Sequence, residues 1–161
     1  MSYGIRHIAE IIKGDLLQFH GDDPIEHLLM DSRRLIFPDT SLFFALQGPR
    51  RDGRQFMEEL YKRGVRNFVV AASYKLQAAS ESTEEAFSGA NIILVDDVLE
   101  ARQRLTAFHR SEFTRPVIGI TGSNGKTTVA QMVASILRCV QSFCAFPTGG
   151  MLNVGIGVPL A

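Results

Sequence analysis

The apolar run Val117-Ile118-Gly119-Ile120-Thr121 leads into Gly122-Ser123-Asn124-Gly125-Lys126-Thr127-Thr128, and Val129, Met132, Val133, Ile136 and Leu137 then recur at helical spacing. Strand, glycine loop and helix in that order commit this stretch to an α/β unit and give the context a phosphate loop requires. Glycines let the backbone turn tightly and approach an anion, while successive N–H groups and the helix N-terminus face it. Gly122, Ser123, Asn124, Gly125, Lys126, Thr127 and Thr128 are therefore the expected ATP-binding residues. Lys126 is the catalytic candidate, lying against the β- and γ-phosphates, and the Thr127 hydroxyl is the candidate Mg²⁺ ligand. The general G-x-x-x-x-G-K-[ST] pattern asks for glycine at position 120, where this chain has Ile120; the glycine sits at Gly122 instead. The bland alternative is a glycine turn that caps a structural helix. It leaves Lys-Thr-Thr at the helix start, after a wholly apolar strand, without a reason.

Upstream, Ile5, Ile8, Ile11 and Ile12 predict a helix stopped by Gly14. Short strands are expected at 16–19, 25–30 and 41–46, a turn at Phe37-Pro38-Asp39-Thr40, and a polar loop at 49–54. A helix from Phe56 to Arg63 capped by Gly64, a strand at 67–71, a solvated segment at 77–90 and a strand at 92–95 follow. Asp97 to Phe113 is expected as a long helix with Leu99, Leu105 and Phe108 inward, and Pro116 marks a joint. The alternation predicts an α/β fold: a small N-terminal domain, 1–114, then the start of a P-loop ATPase domain, 115–161. That second unit offers strand, loop, helix and one more short strand. A parallel sheet needs several such units to bury both faces, so the second domain is expected to be truncated and the fragment inactive alone.

Of 161 residues, 45% are hydrophobic and 21% charged, a globular balance. Lys plus Arg equals Asp plus Glu at 17 each, which argues against a broad basic nucleic-acid surface. A local phosphate site needs only backbone N–H groups and one or two cations. The two cysteines, Cys139 and Cys144, match no zinc spacing and make no disulfide framework. His7, His20, His27 and His109 are scattered without ligand spacing. The N-terminus lacks an apolar signal core, and no apolar run approaches the roughly 20 residues of a membrane span. A cytoplasmic protein is expected.

The short loop form T-G-S-N-G-K-T-T resembles the Mur ligase superfamily, which includes the folylpolyglutamate synthases. The first domain narrows this. Met30-Asp31-Ser32-Arg33-Arg34, then Ser41-Leu42-Phe43-Phe44-Ala45-Leu46-Gln47-Gly48, then Asp52-Gly53-Arg54-Gln55-Phe56, resembles the N-terminal domain of the Mur ligases that add the third residue or the terminal dipeptide to the muramoyl peptide. In those enzymes this domain holds the UDP end of the substrate. The resemblance implies that Ser32 and its neighbours contact the nucleotide, with the loop from Pro49 to Arg51 beside it. A serine hydroxyl can bond a phosphate or a uracil edge, and Arg33, Arg50 or Arg51 can pair a diphosphate. Against this stand a structural Asp31–Arg33 ion pair, and Gly48 and Gly53 as mere turn residues.

Asn153-Val154-Gly155-Ile156-Gly157-Val158-Pro159-Leu160 resembles the dipeptide-adding branch, with Asn153 at the substrate-side asparagine, although Gly149-Gly150-Met151-Leu152 is not the usual lead-in. The stretches L-F-F-A-L-Q-G-P-R-R-D-G and Y-K-R-G-V-R-N-F-V-V resemble the form fused to an alanine racemase. That branch implies UDP-N-acetylmuramoyl-peptide, D-alanyl-D-alanine, ATP and Mg²⁺ as partners, and amide formation through an acyl phosphate. The alternatives are the third-residue branch and a non-catalytic UDP-sugar-binding module.

Overall fold

The computed structural model describes residues 2–48, 51–73, 87–112, 114 and 118–139. The chain divides into two compact units, Met1–Glu112 and Phe113–Ala161.

The first unit is a five-stranded mixed sheet between helices. In chain order it contains α1 (Ile5–Ile12), β1 (Asp15–Gln18), β2 (His27–Leu29), a 3-10 turn (Ser32–Arg34) and β3 (Ser41–Phe44). There follow β4 (Gln47–Gly48), β5 (Arg51–Asp52), a second 3-10 turn (Gly53–Phe56), α2 (Met57–Lys62), β6 (Asn67–Ala71), β7 (Asn91–Val95) and α3 (Val98–Glu112). The sheet order is β1-β7-β6-β3-β2. β2, β3, β6 and β7 run parallel, and β1 closes one edge antiparallel to β7.

The strands explain the layering. β3 and β7 are buried at every position, and β6 at all but its last, as parallel strands covered on both faces must be. Alternation then sorts their side chains. Leu42, Phe44, Val69, Ile93 and Val95 join Ile5, Ile8, Ile12, Val98, Ala101 and Leu105 in the core under α1 and α3. Phe43, Ala45, Phe68, Val70, Ile92 and Leu94 join Met57, Leu60 and Val65 in the core under α2.

Several expectations are corrected in detail. Gly14 does not supply the left-handed cap of α1: Lys13 does, at φ 56°. Gly14 is small for another reason, since a Cβ there would lie 2.4 Å from Ile93 Cγ2 and 2.9 Å from the Leu94 carbonyl oxygen. Leu99 does not point inward but is 38% exposed. The stripe that α3 buries is Val98, Ala101, Arg102 and Leu105, one position out of phase with Leu99. Asp97 starts this helix, its Oδ1 accepting from the N–H groups of Leu99 at 2.7 Å and Glu100 at 3.0 Å. The polar loop expected at 49–54 contains β5, which pairs with β4 just before the loop, and the start of a 3-10 turn. The strand expected at 117–121 is not formed: Ile118 to Thr121 pair with no strand among the described residues, and Ile118 is 59% exposed. A strand needs a neighbour to take its backbone bonds.

In the second unit, α4 spans Lys126–Cys139, with Ala134 buried and Val129, Met132 and Ile136 exposed. The solvated segment through residue 86, the residues beyond Cys139 and the side chain of Cys139 itself lie outside the described residues, as does Cys144.

Candidate functional site

Two places in the chain carry the expected chemistry, one in each unit. In the first, Ser32 opens a 3-10 turn that begins three residues past the end of β2. Asp31 caps the turn by accepting from the Arg33 N–H at 3.1 Å. The same carboxylate takes the Arg33 guanidinium in two bonds, Nε to Oδ1 at 2.9 Å and Nη2 to Oδ2 at 2.7 Å. The Arg33 hydrogen bond holds the Asp31 carboxyl at a pKa of about 2, and the pairing raises that of Arg33. The structural ion pair weighed from the sequence is thus present, and Arg33 enters the site already engaged.

Ser32 is 7% exposed although it is polar and sits in a turn. Its carbonyl accepts from Arg63 Nη1 at 2.8 Å. Arg63 ends α2, where its Nη1 also lies 3.3 Å from Glu59 Oε1. On the opposite side of the sheet from α2, the fully buried Arg102 of α3 donates from Nη1 to Met30 Sδ at 3.2 Å, and desolvation lowers its pKa. Neither Arg63 nor Arg102 was singled out in the sequence. Arg63 reaches the turn, and Arg102 reaches Met30 just before it, each from a distant element, so no local spacing signals them.

Further along the chain, β4 and β5 form a short antiparallel pair, Gln47 opposite Asp52 and Gly48 opposite Arg51. Gly53 anchors its base, donating its N–H to the Leu46 carbonyl at 2.9 Å. A Cβ on Gly53 would lie 2.8 Å from the Ala45 carbonyl carbon and from Leu46 N, so the close approach requires glycine. Asp52 accepts from the Arg54 backbone N–H at 3.0 Å and pairs with its guanidinium, which lowers the Asp52 pKa. Arg50 and the side chain of Arg51 lie outside the described residues, as does Asn153.

In the second unit, residues 122–125 turn into the N-terminus of α4. Gly125 takes φ +77°, a conformation that side-chain-bearing residues rarely adopt, and its carbonyl receives the first helical bond, from Val129 N at 2.9 Å. Gly122 is at φ +152°. Lys126 Nζ folds back over the loop, donating to the carbonyls of Gly122 and Ser123, the latter at 3.3 Å. Ser123, Asn124, Thr127 and Thr128 are exposed. A glycine-dependent turn, free helix-start N–H groups and an ammonium centred over the loop fit a polyphosphate. Among the described residues no three His, Cys, Asp or Glu side chains cluster as a metal site.

The chain is 34% identical over 157 residues to the UDP-N-acetylmuramoyl-tripeptide–D-alanyl-D-alanine ligase of Bacillus subtilis, across 97% of this chain and 32% of that protein. It aligns with the Mur ligases along its length. The solved structure of MurF from Acinetobacter baumannii matches 99% of the chain and 32% of its own length, with TM-score 0.75 and 26% identity. A Mur ligase of the other branch, the UDP-N-acetylmuramoyl-L-alanyl-D-glutamate–2,6-diaminopimelate ligase of Haemophilus ducreyi, is 32% identical over 120 residues, 69% of the chain. No family model matches. The chain spans about a third of the length of the dipeptide-adding Mur ligases it resembles.

Proposed function

We propose that this chain is the sugar-nucleotide-binding unit and the phosphate loop of an ATP-dependent Mur ligase that joins D-alanyl-D-alanine to UDP-N-acetylmuramoyl-tripeptide. The observation that carries the reading is the alignment of 97% of the chain, Ser32 turn and phosphate loop together, with a ligase of that name. A lone phosphate loop serves many chemistries; its combination with this first unit is far more restrictive. The third-residue branch is the second reading, supported by the Haemophilus ducreyi ligase but over a smaller part of the chain.

In this reading residues 1–114 hold the UDP end. The Ser32 hydroxyl bonds the nucleotide, Arg50 and Arg51 meet the diphosphate, and Arg33 contributes only by leaving Asp31. Residues 115–161 start the ATP-binding domain. The N–H groups of 122–128 surround the polyphosphate, and Lys126 offsets charge as the γ-phosphoryl moves to the terminal carboxylate of the peptide. The Thr127 hydroxyl is the Mg²⁺ ligand this chain supplies; the ion would neutralise phosphate charge when bound. The amine of the dipeptide then displaces phosphate from the acyl phosphate, giving an amide, ADP and phosphate. Asn153 lies on the substrate side. No helix among the described residues is long and apolar enough to cross a membrane. The cytoplasmic assignment is part of the proposal and rests on the likeness to the Mur ligases. Fusion to an alanine racemase domain is part of the proposal and rests on the sequence stretches quoted above.

Isothermal titration tests the reading. UDP-N-acetylmuramoyl-tripeptide and Mg-ATP should each bind the chain, at sites that do not compete. Binding of the sugar nucleotide alone would leave a binding module; binding of neither would overturn both units. With the full-length ligase, amide formation with diaminopimelate rather than the dipeptide would select the other branch.

A further inference from the structure

The turn that presents Ser32 is not held by its own strand alone. Ser32 sits between the end of β2 and the long return to β3, where Asp31 caps the turn from the N-terminal side. The tie from outside comes from α2: Arg63 Nη1 donates to the Ser32 carbonyl at 2.8 Å across a separation of 31 residues. The same helix end is fitted to the return segment a second time. Gly64, at φ +99°, leaves room for Pro38, whose Cβ would lie 3.2 Å from a Cβ at position 64. The Arg63 guanidinium is steadied by Glu59 one turn back on α2, at 3.3 Å.

We propose that Arg63 is a positioning residue for the sugar nucleotide: by fixing the Ser32 carbonyl it sets the direction in which the Ser32 hydroxyl meets its ligand. The proposal rests on the reading of Ser32 as a nucleotide contact. A 3-10 turn is short and its hydrogen bonds are poor, so one anchored carbonyl decides much of its orientation. A charged donor to a carbonyl is also stronger than a neutral one. Arg63 is half-exposed and is not among the apolar side chains of the core under α2, so Arg63→Ala is expected to fold.

The test is a double-mutant cycle on the chain, with UDP-N-acetylmuramoyl-tripeptide as probe, by titration well below each variant's unfolding midpoint. Arg63→Ala should weaken binding roughly three- to tenfold, and Arg63→Lys should restore most of it. In a Ser32→Ala background, Arg63→Ala should have no further effect, because it acts through Ser32. Equal losses in both backgrounds would overturn the proposal, as would a lowered unfolding temperature with unchanged affinity. Should Ser32→Ala bind as well as the parent, the reading of Ser32 itself fails and the proposal falls with it. Ser32→Ala weakening while Arg63→Ala does not would overturn the positioning role alone.

Discussion

Ser32 is 7% exposed, and its hydroxyl is the group a nucleotide would bond on the proposed reading. Losing one hydrogen bond to a charged group costs roughly 1.5–3 kcal/mol. Ser32→Ala should therefore weaken sugar-nucleotide binding about tenfold or more, measured by titration; unchanged affinity removes the contact. Asp31 makes a second check. Its carboxyl lies at a pKa of about 2 against an ordinary 3.8, chiefly through the Arg33 hydrogen bond. A depressed acid stabilises the fold above 3.8 and loses that contribution as pH falls through about 2. Near neutral pH the turn should thus be indifferent to pH. An NMR titration should find the Asp31 midpoint near 2, moving toward 3.8 in Arg33→Ala; a midpoint already at the ordinary value would mean the pair is not formed in solution. The Asp-Ser-Arg order was legible in the sequence, which left Arg33 open between ion pair and ligand contact; the ion pair is what the structure shows. The engagement of Arg63 was not, because a contact across 31 residues leaves no periodic or local trace.

Among the elements, what was legible tracks what is locally determined. The isoleucines of α1 and the unbroken apolar run of β6 gave their elements directly, since a 3.6-residue stripe and a doubly buried strand each have their own pattern. The phase of α3 was misread at Leu99, because Arg102 takes a place in the buried stripe that pattern alone reserves for an apolar residue. β1 and β7 depend on a polar tie that hydrophobicity cannot reveal. Asn91 Oδ1 accepts from the His20 N–H at 2.7 Å, while its Nδ2 donates to the Gly21 carbonyl at 2.9 Å and to Asn67 Oδ1 at 2.7 Å. Asn91→Ala would leave the buried Asn67 Oδ1 without this partner, and the part-buried His20 N–H and Gly21 carbonyl with it, at about 1–3 kcal/mol. Thermal unfolding of the first unit should fall by several degrees, on the order of 4–8 °C per kcal/mol. A midpoint within one degree of the parent would show that water replaces the amide without loss.

For the whole molecule, the two candidate sites belong to separate compact units, and their chemistry should separate too. On the proposed reading Lys126 acts on ATP and not on the sugar nucleotide. Lys126→Ala should abolish ligation by the full-length enzyme and ATP binding by this chain, while sugar-nucleotide affinity stays within about twofold. Activity within tenfold of the parent would show that the loop has been misassigned. The loop was the clearest signal in the sequence, because its glycines, lysine and helix start are contiguous. The strand expected before it is unpaired among the described residues, and an apolar run becomes a strand only where a neighbour bonds it.

The position of β1 has a consequence for how the protein is made. β1 is the first strand in the chain, yet its sheet partner is β7, and the tie from Asn91 to His20 spans 71 residues. The helix before it, α1, packs on α3, the last helix of the unit. On a ribosome the early residues therefore emerge without the surfaces they will cover, and must wait until synthesis has passed Glu112. β2, β3 and β6, by contrast, pair with near neighbours and can assemble as they appear. Closing the longest loop last is the slow step of such a topology. During that interval Ile5, Ile8 and Ile12 lack the part of their cover that β7 and α3 supply, and an apolar stripe left waiting is a hazard for association.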